Sequence, residues 1–223
     1  MICVKIYRTS PQESDTLPLV KEFNLKWSET GDVYYQQIIP KGKAKLDVLF
    51  LHGHSFSSKN WLEINTLNIL ASHGYRVIAL DLPGYGKSSY KLDTTDATSR
   101  SDFLSKFIQK TRMDSPVIVS PSMSGVYSLA YIAAHKSVKG FVAIAVAGTD
   151  MVSHSDYAHF PPSLIVRGSR DKRLGILSTE TLGKYIPDNS AKVIDDAGHA
   201  CYLNKPQEFH DMLLKFLEDV INK

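Results

Sequence analysis

The chain has 223 residues, with 26 basic against 23 acidic side chains, a formal net charge of +3, 43% hydrophobic and 22% charged residues. That is the composition of a globular domain able to bury about 70% of its unfolded surface, and it excludes a disordered tail, a collagen or a pure coiled coil. The basic residues are scattered apart from Lys41, Lys43 and Lys45, and nucleic acid is therefore not an expected partner, because phosphate binding needs a concentrated basic face.

Lys5 and Arg8 near the start are followed by no apolar stretch of signal-peptide length, so a cytosolic chain is expected and Cys3 and Cys201 are read as thiols. FNLKW and VYYQQIIP alternate in period two around ETGD, which predicts an antiparallel hairpin. The lysine trio, with Pro40 and Gly42, reads as a second, solvated hairpin turn. From residue 47 onward, strand patterns at 47–53, 75–81, 116–122, 140–148, 163–168 and 191–195 alternate with helical patterns at 59–73, 98–112, 123–135, 176–186 and 206–222. This rhythm predicts an α/β fold: a mostly parallel, doubly wound sheet fed by an N-terminal antiparallel hairpin. No repeat or linker interrupts it, so residues 1–223 are expected to form a single domain. The apolar run Phe141 to Ala147 is far shorter than the roughly 20 residues of a membrane-spanning helix, and no membrane association is expected.

The chemistry concentrates at strand ends. In VIVSPSMSGVYSLAYIAA an apolar strand runs straight into a helix with small residues packed round Ser122. A nucleophile elbow requires small residues two before and two after the serine, normally glycines; here Ser120 and Ser124 occupy those places and Gly125 follows. A plain strand-to-helix turn with Ser122 as helix cap is the competing reading. Leu51-His52-Gly53-His54 ends the first central strand, where backbone amides can stabilise an oxyanion. The amides of His54 and Met123 are the candidate donors. His52 and His54 as a metal pair find no carboxylate or third histidine at ligand spacing, so neither a metal nor a cofactor is expected.

A serine hydroxyl needs a base. His199 lies in the loop after the last strand pattern, at the edge where open parallel sheets collect catalytic groups. His73, His135 and His210 fall in helical patterns, while His154 and His159 remain candidate substrate contacts. Asp171, three residues past Gly168, is the candidate to orient His199, with Asp150 at the preceding strand end as rival. Cys201, two residues after His199, is the alternative nucleophile. The stretch from Asp81 to Ser88 ends in GKS but has Asp81 where a phosphate-binding loop needs its first glycine, so it reads as a turn.

Together these residues resemble the α/β-hydrolase superfamily. HGHSFSSKNW, DLPGYGKS, SPSMSGVYSL and AGHACYLNKPQEF resemble, within it, the alpha/beta-hydrolase domain-containing protein 14 group, of which serine in place of both elbow glycines is a mark. His54 departs from the aliphatic or polar residue expected at its place. The resemblance implies a lidless cytosolic or nuclear serine hydrolase with Ser122, Asp171 and His199 as its triad. It also implies as substrates small acyl esters or acetylated amines such as lysine side chains. The alternative is a protein-interaction module that keeps the fold and binds a protein partner. Only residues 149–162 separate the fourth and fifth strand patterns of this alternating series, too short and too polar a stretch for an apolar cap. An open, wet site that prefers short acyl groups is therefore expected, unless loops near Phe56 or Tyr90 roof it.

Overall fold

The computed structural model describes residues 19–29, 31–135 and 137–223; the thiol expected at Cys3 lies outside them. The chain forms two compact units, the first ending at Asp93 and the second beginning at Thr94.

The first unit opens with the expected hairpin, β1 (Lys21–Ser28) against β2 (Gly31–Ile38), antiparallel with an irregularity between Lys26 and Ser28. β2 pairs antiparallel with β4 (Arg76–Leu80), and β4 pairs parallel with β3 (Asp47–Phe50). The segment after β2 is therefore not a hairpin turn, as the lysine trio suggested. It carries the chain past β4 to reach β3, although Lys41, Lys43 and Lys45 are exposed as expected. The single helix expected over 59–73 is two, α1 (Lys59–Glu63) and α2 (Thr66–Ser72). Asn65 between them is left-handed at φ 63°, a conformation that asparagine tolerates better than most residues. The Trp61 indole N–H donates to the Leu51 carbonyl at 2.7 Å and fixes α1 against the end of β3.

The second unit is a wholly parallel run in the order β5 (Val117–Pro121), β6 (Gly140–Ile144), β7 (Ser163–Gly168) and β8 (Asn189–Ile194). The residues of β5 and β6 are buried throughout, which is why those segments read as continuous apolar runs rather than alternating ones. α3 (Ala97–Thr111) starts at Asp96, whose carboxylate accepts from the Ser99 amide at 2.8 Å, a standard N-cap bond. It packs on α4 (Gly125–Ala134), with Phe103 edge-on to Tyr127 at 6.2 Å. α6 (Leu174–Tyr185) and α8 (Pro206–Ile221) follow β7 and β8.

Two four-residue helices, α5 (His154–Tyr157) and α7 (Cys201–Asn204), were not foreseen. β6 stops at Ile144 rather than continuing to 148, because Ala145 at φ 46° turns the chain out of the sheet. Between β6 and β7 there is no cap domain among the described residues. The polar stretch 149–162 is pinned from within instead, by buried Val152, Tyr157 and Phe160 and by the Tyr157 hydroxyl donating to the Thr149 carbonyl at 2.8 Å. No described helix is long and apolar enough to cross a membrane.

Candidate active site

β5 ends at Pro121, a single 3-10 turn spans Ser122–Ser124, and α4 begins at Gly125. Ser122 sits at φ 52°; a non-glycine residue there carries strain of about 1–3 kcal/mol and persists only where its surroundings over-determine it. Several of those surroundings are visible. The Ala147 amide donates to the Ser122 carbonyl at 2.9 Å. A Cβ on Gly125 would lie 2.3 Å from the Ala147 carbonyl oxygen, so only glycine lets α4 start this close to the end of β6. Ser120 and Ser124, in the places usually held by glycine, are fully buried, with their hydroxyls 2.9 Å apart.

Asp171 follows β7, and His199 lies in the loop between β8 and α7. Gly168 brings the two loops together: a Cβ there would meet the Gly198 carbonyl oxygen at 2.2 Å and that of Ala197 at 2.3 Å. His199 Nδ1 lies 2.6 Å from Asp171 Oδ2, and Nε2 lies 2.8 Å from Ser122 Oγ. An ionised carboxylate only accepts, so Nδ1 carries the proton and Nε2 presents its lone pair to the serine hydroxyl. Burial by itself would raise the Asp171 carboxyl. The bonds from His199 and from the Gly175 and Arg173 amides outweigh it and hold the group below the ordinary carboxylate value. The carboxylate is therefore charged at neutral pH and accepts the Nδ1 proton of His199.

The rival readings separate on this geometry. Asp171, not Asp150, is bonded to His199, and Asp150 is exposed. Cys201 is buried in α7, and its thiol is pushed up to about 12 by burial, so it is protonated and a poor nucleophile at neutral pH. The His154 ring stacks on Tyr185 at 3.8 Å, and His159 is exposed.

In the first unit, buried His52 donates from Nδ1 to the Gly53 carbonyl at 2.9 Å and accepts at Nε2 from the Leu82 amide at 3.0 Å. Both ring nitrogens are occupied and burial lowers its pKa, so it braces a turn as the neutral ring. His54 is exposed, with Nδ1 3.0 Å from the Tyr85 hydroxyl. Tyr90 lies with its ring 5.7 Å from Trp27. The Asp81 to Ser88 stretch is a turn, as expected: the Asp81 carboxylate accepts from the Ser58 amide at 2.6 Å and the Lys87 amide at 2.8 Å.

The site also contains residues that sequence reasoning missed. Ser128 lies 2.7 Å from the Ser120 hydroxyl, and the four-residue spacing of Ser120, Ser124 and Ser128 was the available signal. The Asn204 side chain accepts from the Gly198 amide at 2.8 Å and so props the loop that carries His199.

The family described as "alpha/beta hydrolase fold" matches residues 48–160. The protein belongs to the α/β-hydrolase family. Within it the chain is similar to Protein ABHD14A of Danio rerio, 41% identical over 82% of this chain and 66% of that protein, so it spans about two thirds of that relative's length. It is also similar to a human protein named "Putative protein-lysine deacylase ABHD14B", 39% identical over 83% of this chain and 90% of that protein. These identities place it with the ABHD14 proteins. A solved structure of a "predicted CIB-like hydrolase" from Thermoplasma acidophilum shares the fold, with a TM-score of 0.80, 21% identity, and coverage of 98% of this chain and 100% of that one.

Proposed function

We propose that this protein is a serine acyl hydrolase in which Ser122 is the nucleophile, His199 the general base and acid, and Asp171 the group that orients His199. The observation that carries the reading is the bonded series Ser122, His199 and Asp171, at 2.8 and 2.6 Å, with the nucleophile on a strained strand-to-helix turn. Ser122 Oγ attacks the substrate carbonyl carbon while its proton passes to His199 Nε2. The carbonyl oxygen becomes an oxyanion, proposed to be met by the amide of Met123. Collapse of the tetrahedral species breaks the bond to the leaving group, which departs with the proton from Nε2 and leaves an acyl-serine. Water, deprotonated by Nε2, then attacks the acyl-serine, and Ser122 regains its proton as the acid is released.

For substrate we propose short acyl esters and acylated amines, including acylated lysine side chains. The name of the human relative supports the lysine reading. The absence of a cap between β6 and β7 supports the short-chain one, since a buried methylene is worth about 0.8 kcal/mol only where apolar surface receives it. A fluorophosphonate probe is expected to label the wild-type chain and not Ser122→Ala. Esterase activity should fall in that variant by a factor on the order of 10⁶, the cost of removing such a serine in a comparable triad. On p-nitrophenyl esters, kcat/KM is expected to be highest for acetate and to decline beyond about eight carbons. Full activity in Ser122→Ala rejects the mechanism, and a rise in kcat/KM with chain length rejects the substrate assignment.

A further inference from the structure

Beneath Ser122 lies a polar cluster that the mechanism does not use. Ser120, Ser124 and Ser128 are fully buried, and their hydroxyl protons can be assigned in turn. The Ser124 hydroxyl donates to the Pro121 carbonyl at 2.8 Å, an oxygen that can only accept. In its 2.9 Å contact with Ser120 it must therefore be the acceptor, so the Ser120 proton points to Ser124. With that proton engaged, the 2.7 Å contact between Ser120 and Ser128 is made by the Ser128 proton; its other acceptor, the Gly125 carbonyl, is more distant at 3.5 Å. The result is a one-way series from Ser128 through Ser120 and Ser124 to the Pro121 carbonyl.

That carbonyl belongs to the peptide joining Pro121 to Ser122, the peptide whose plane sets φ of the nucleophile. The peptide on the other side is held through the Ser122 carbonyl, which accepts from the Ala147 amide at 2.9 Å. Holding both planes fixes the Cα–Cβ direction of Ser122 and keeps Oγ 2.8 Å from His199 Nε2. Glycines at 120 and 124 would give the turn room but would supply no hydroxyl to hold it.

We infer that Ser120, Ser124 and Ser128 are positioning residues: a buried hydroxyl series that aims Ser122 at His199, used in this chain where the common elbow has glycines. The inference rests on Ser122 being the nucleophile, and it predicts that restoring the common glycines impairs the enzyme. The competing account is that the serines are merely small enough to fit.

The test uses the full chain with p-nitrophenyl acetate, and kcat is expressed per active site titrated with a fluorophosphonate, so that misfolded protein does not count. Ser124→Gly is expected to lower kcat about tenfold, the cost of roughly one buried hydrogen bond in the transition state, with KM changed by less than about twofold. Adding Ser120→Gly should cost little more, because the series is already broken, and the resulting non-additivity marks the pair as coupled. Ser128→Ala removes only the far donor and should cost about threefold. Should the glycine variants fail to fold by thermal unfolding, Ser128→Ala decides alone. Wild-type kcat per titrated site in the folded variants, or a rise in KM without loss of kcat, overturns the inference. Ser122→Ala is run beside them: if it still labels, the functional reading itself has failed. If it is dead while the glycine variants run at the wild-type rate, only the positioning role is lost.

Discussion

Beneath Ser122 the serine hydroxyls are sealed from solvent and bonded in series, whereas the loop that presents His199 lies open, with 44% of the imidazole side chain exposed. Ser122, the proposed nucleophile, sits at a positive φ and is held through the peptides on both sides. His199, the proposed base, is held at Nδ1 by a carboxylate that is only 7% exposed, and its loop is propped by Asn204. The difference follows from what each group must do. A nucleophile has one productive direction, so rigidity costs it nothing. On the proposed mechanism the imidazole takes a proton from one oxygen and delivers it to another, which asks for a fixed tautomer and an Nε2 lone pair turned to the serine hydroxyl.

Removing the imidazole is the strongest test of that division of labour. His199→Ala should lower turnover by a factor on the order of 10⁶, as much as loss of the serine, because the two act as one unit. A loss far below that of Ser122→Ala would mean that another base serves the elbow.

Next in size is the buried end of the open loop. Asp171→Asn is expected to cost roughly 10⁴ in turnover by presenting the wrong imidazole tautomer, while Asp150→Asn, at an exposed position, should stay within about twofold. Equal losses would move the orienting acid to the earlier strand. The same substitution has a pH signature. The folded-state value of Asp171 lies below the ordinary carboxylate value, so its charged form contributes stability that is complete above about pH 4 and is lost as pH falls through the lowered value. The difference in urea midpoint between the wild type and Asp171→Asn should therefore shrink on acidification below pH 4, and a difference independent of pH would contradict this.

The contact between the two loops gives a smaller effect. In Gly168→Ala a methyl group would lie 2.2 Å from the Gly198 carbonyl oxygen, so the His199 loop must shift. A displacement of about 1 Å costs on the order of 10² in kcat, with Ser122 labelling slowed in parallel. Unchanged kcat would show that the open loop tolerates the displacement. The smallest effect belongs to the rim, where Arg170 pairs with Asp196 at 2.8 Å in full view of solvent. Arg170→Gln should leave the thermal midpoint nearly unchanged and alter turnover by no more than a few-fold.

Strand ends carry most of what is legible in the sequence. β5 and β6 are buried throughout and so show as unbroken apolar runs, and Ser122, Asp171 and His199, singled out past the ends of three strand patterns, come together in space. What escaped was decided by single residues or by pairing across distance. Asn65 splits a helix whose apolar pattern continues through it. Whether β2 is followed by a hairpin depends on β4 lying between β2 and β3, which no local signal near Lys43 reports. α5 and α7 are too short for a period to appear. Ser128 stands six residues past Ser122 on an apolar helix, and its bond becomes visible only when Ser120 is seen beside it.

The turn at Asp81 has a consequence for ligands. Loops that bind phosphate gather backbone amides around an empty, glycine-lined hollow and wait for an anion. This turn gathers the amides of Ser58 and Lys87 as well, but their anion is the Asp81 carboxylate, and a methyl group on Gly86 would come within 2.1 Å of it. The hollow is filled by the chain's own tethered guest, so these two amides are already engaged and offer a phosphate no free N–H.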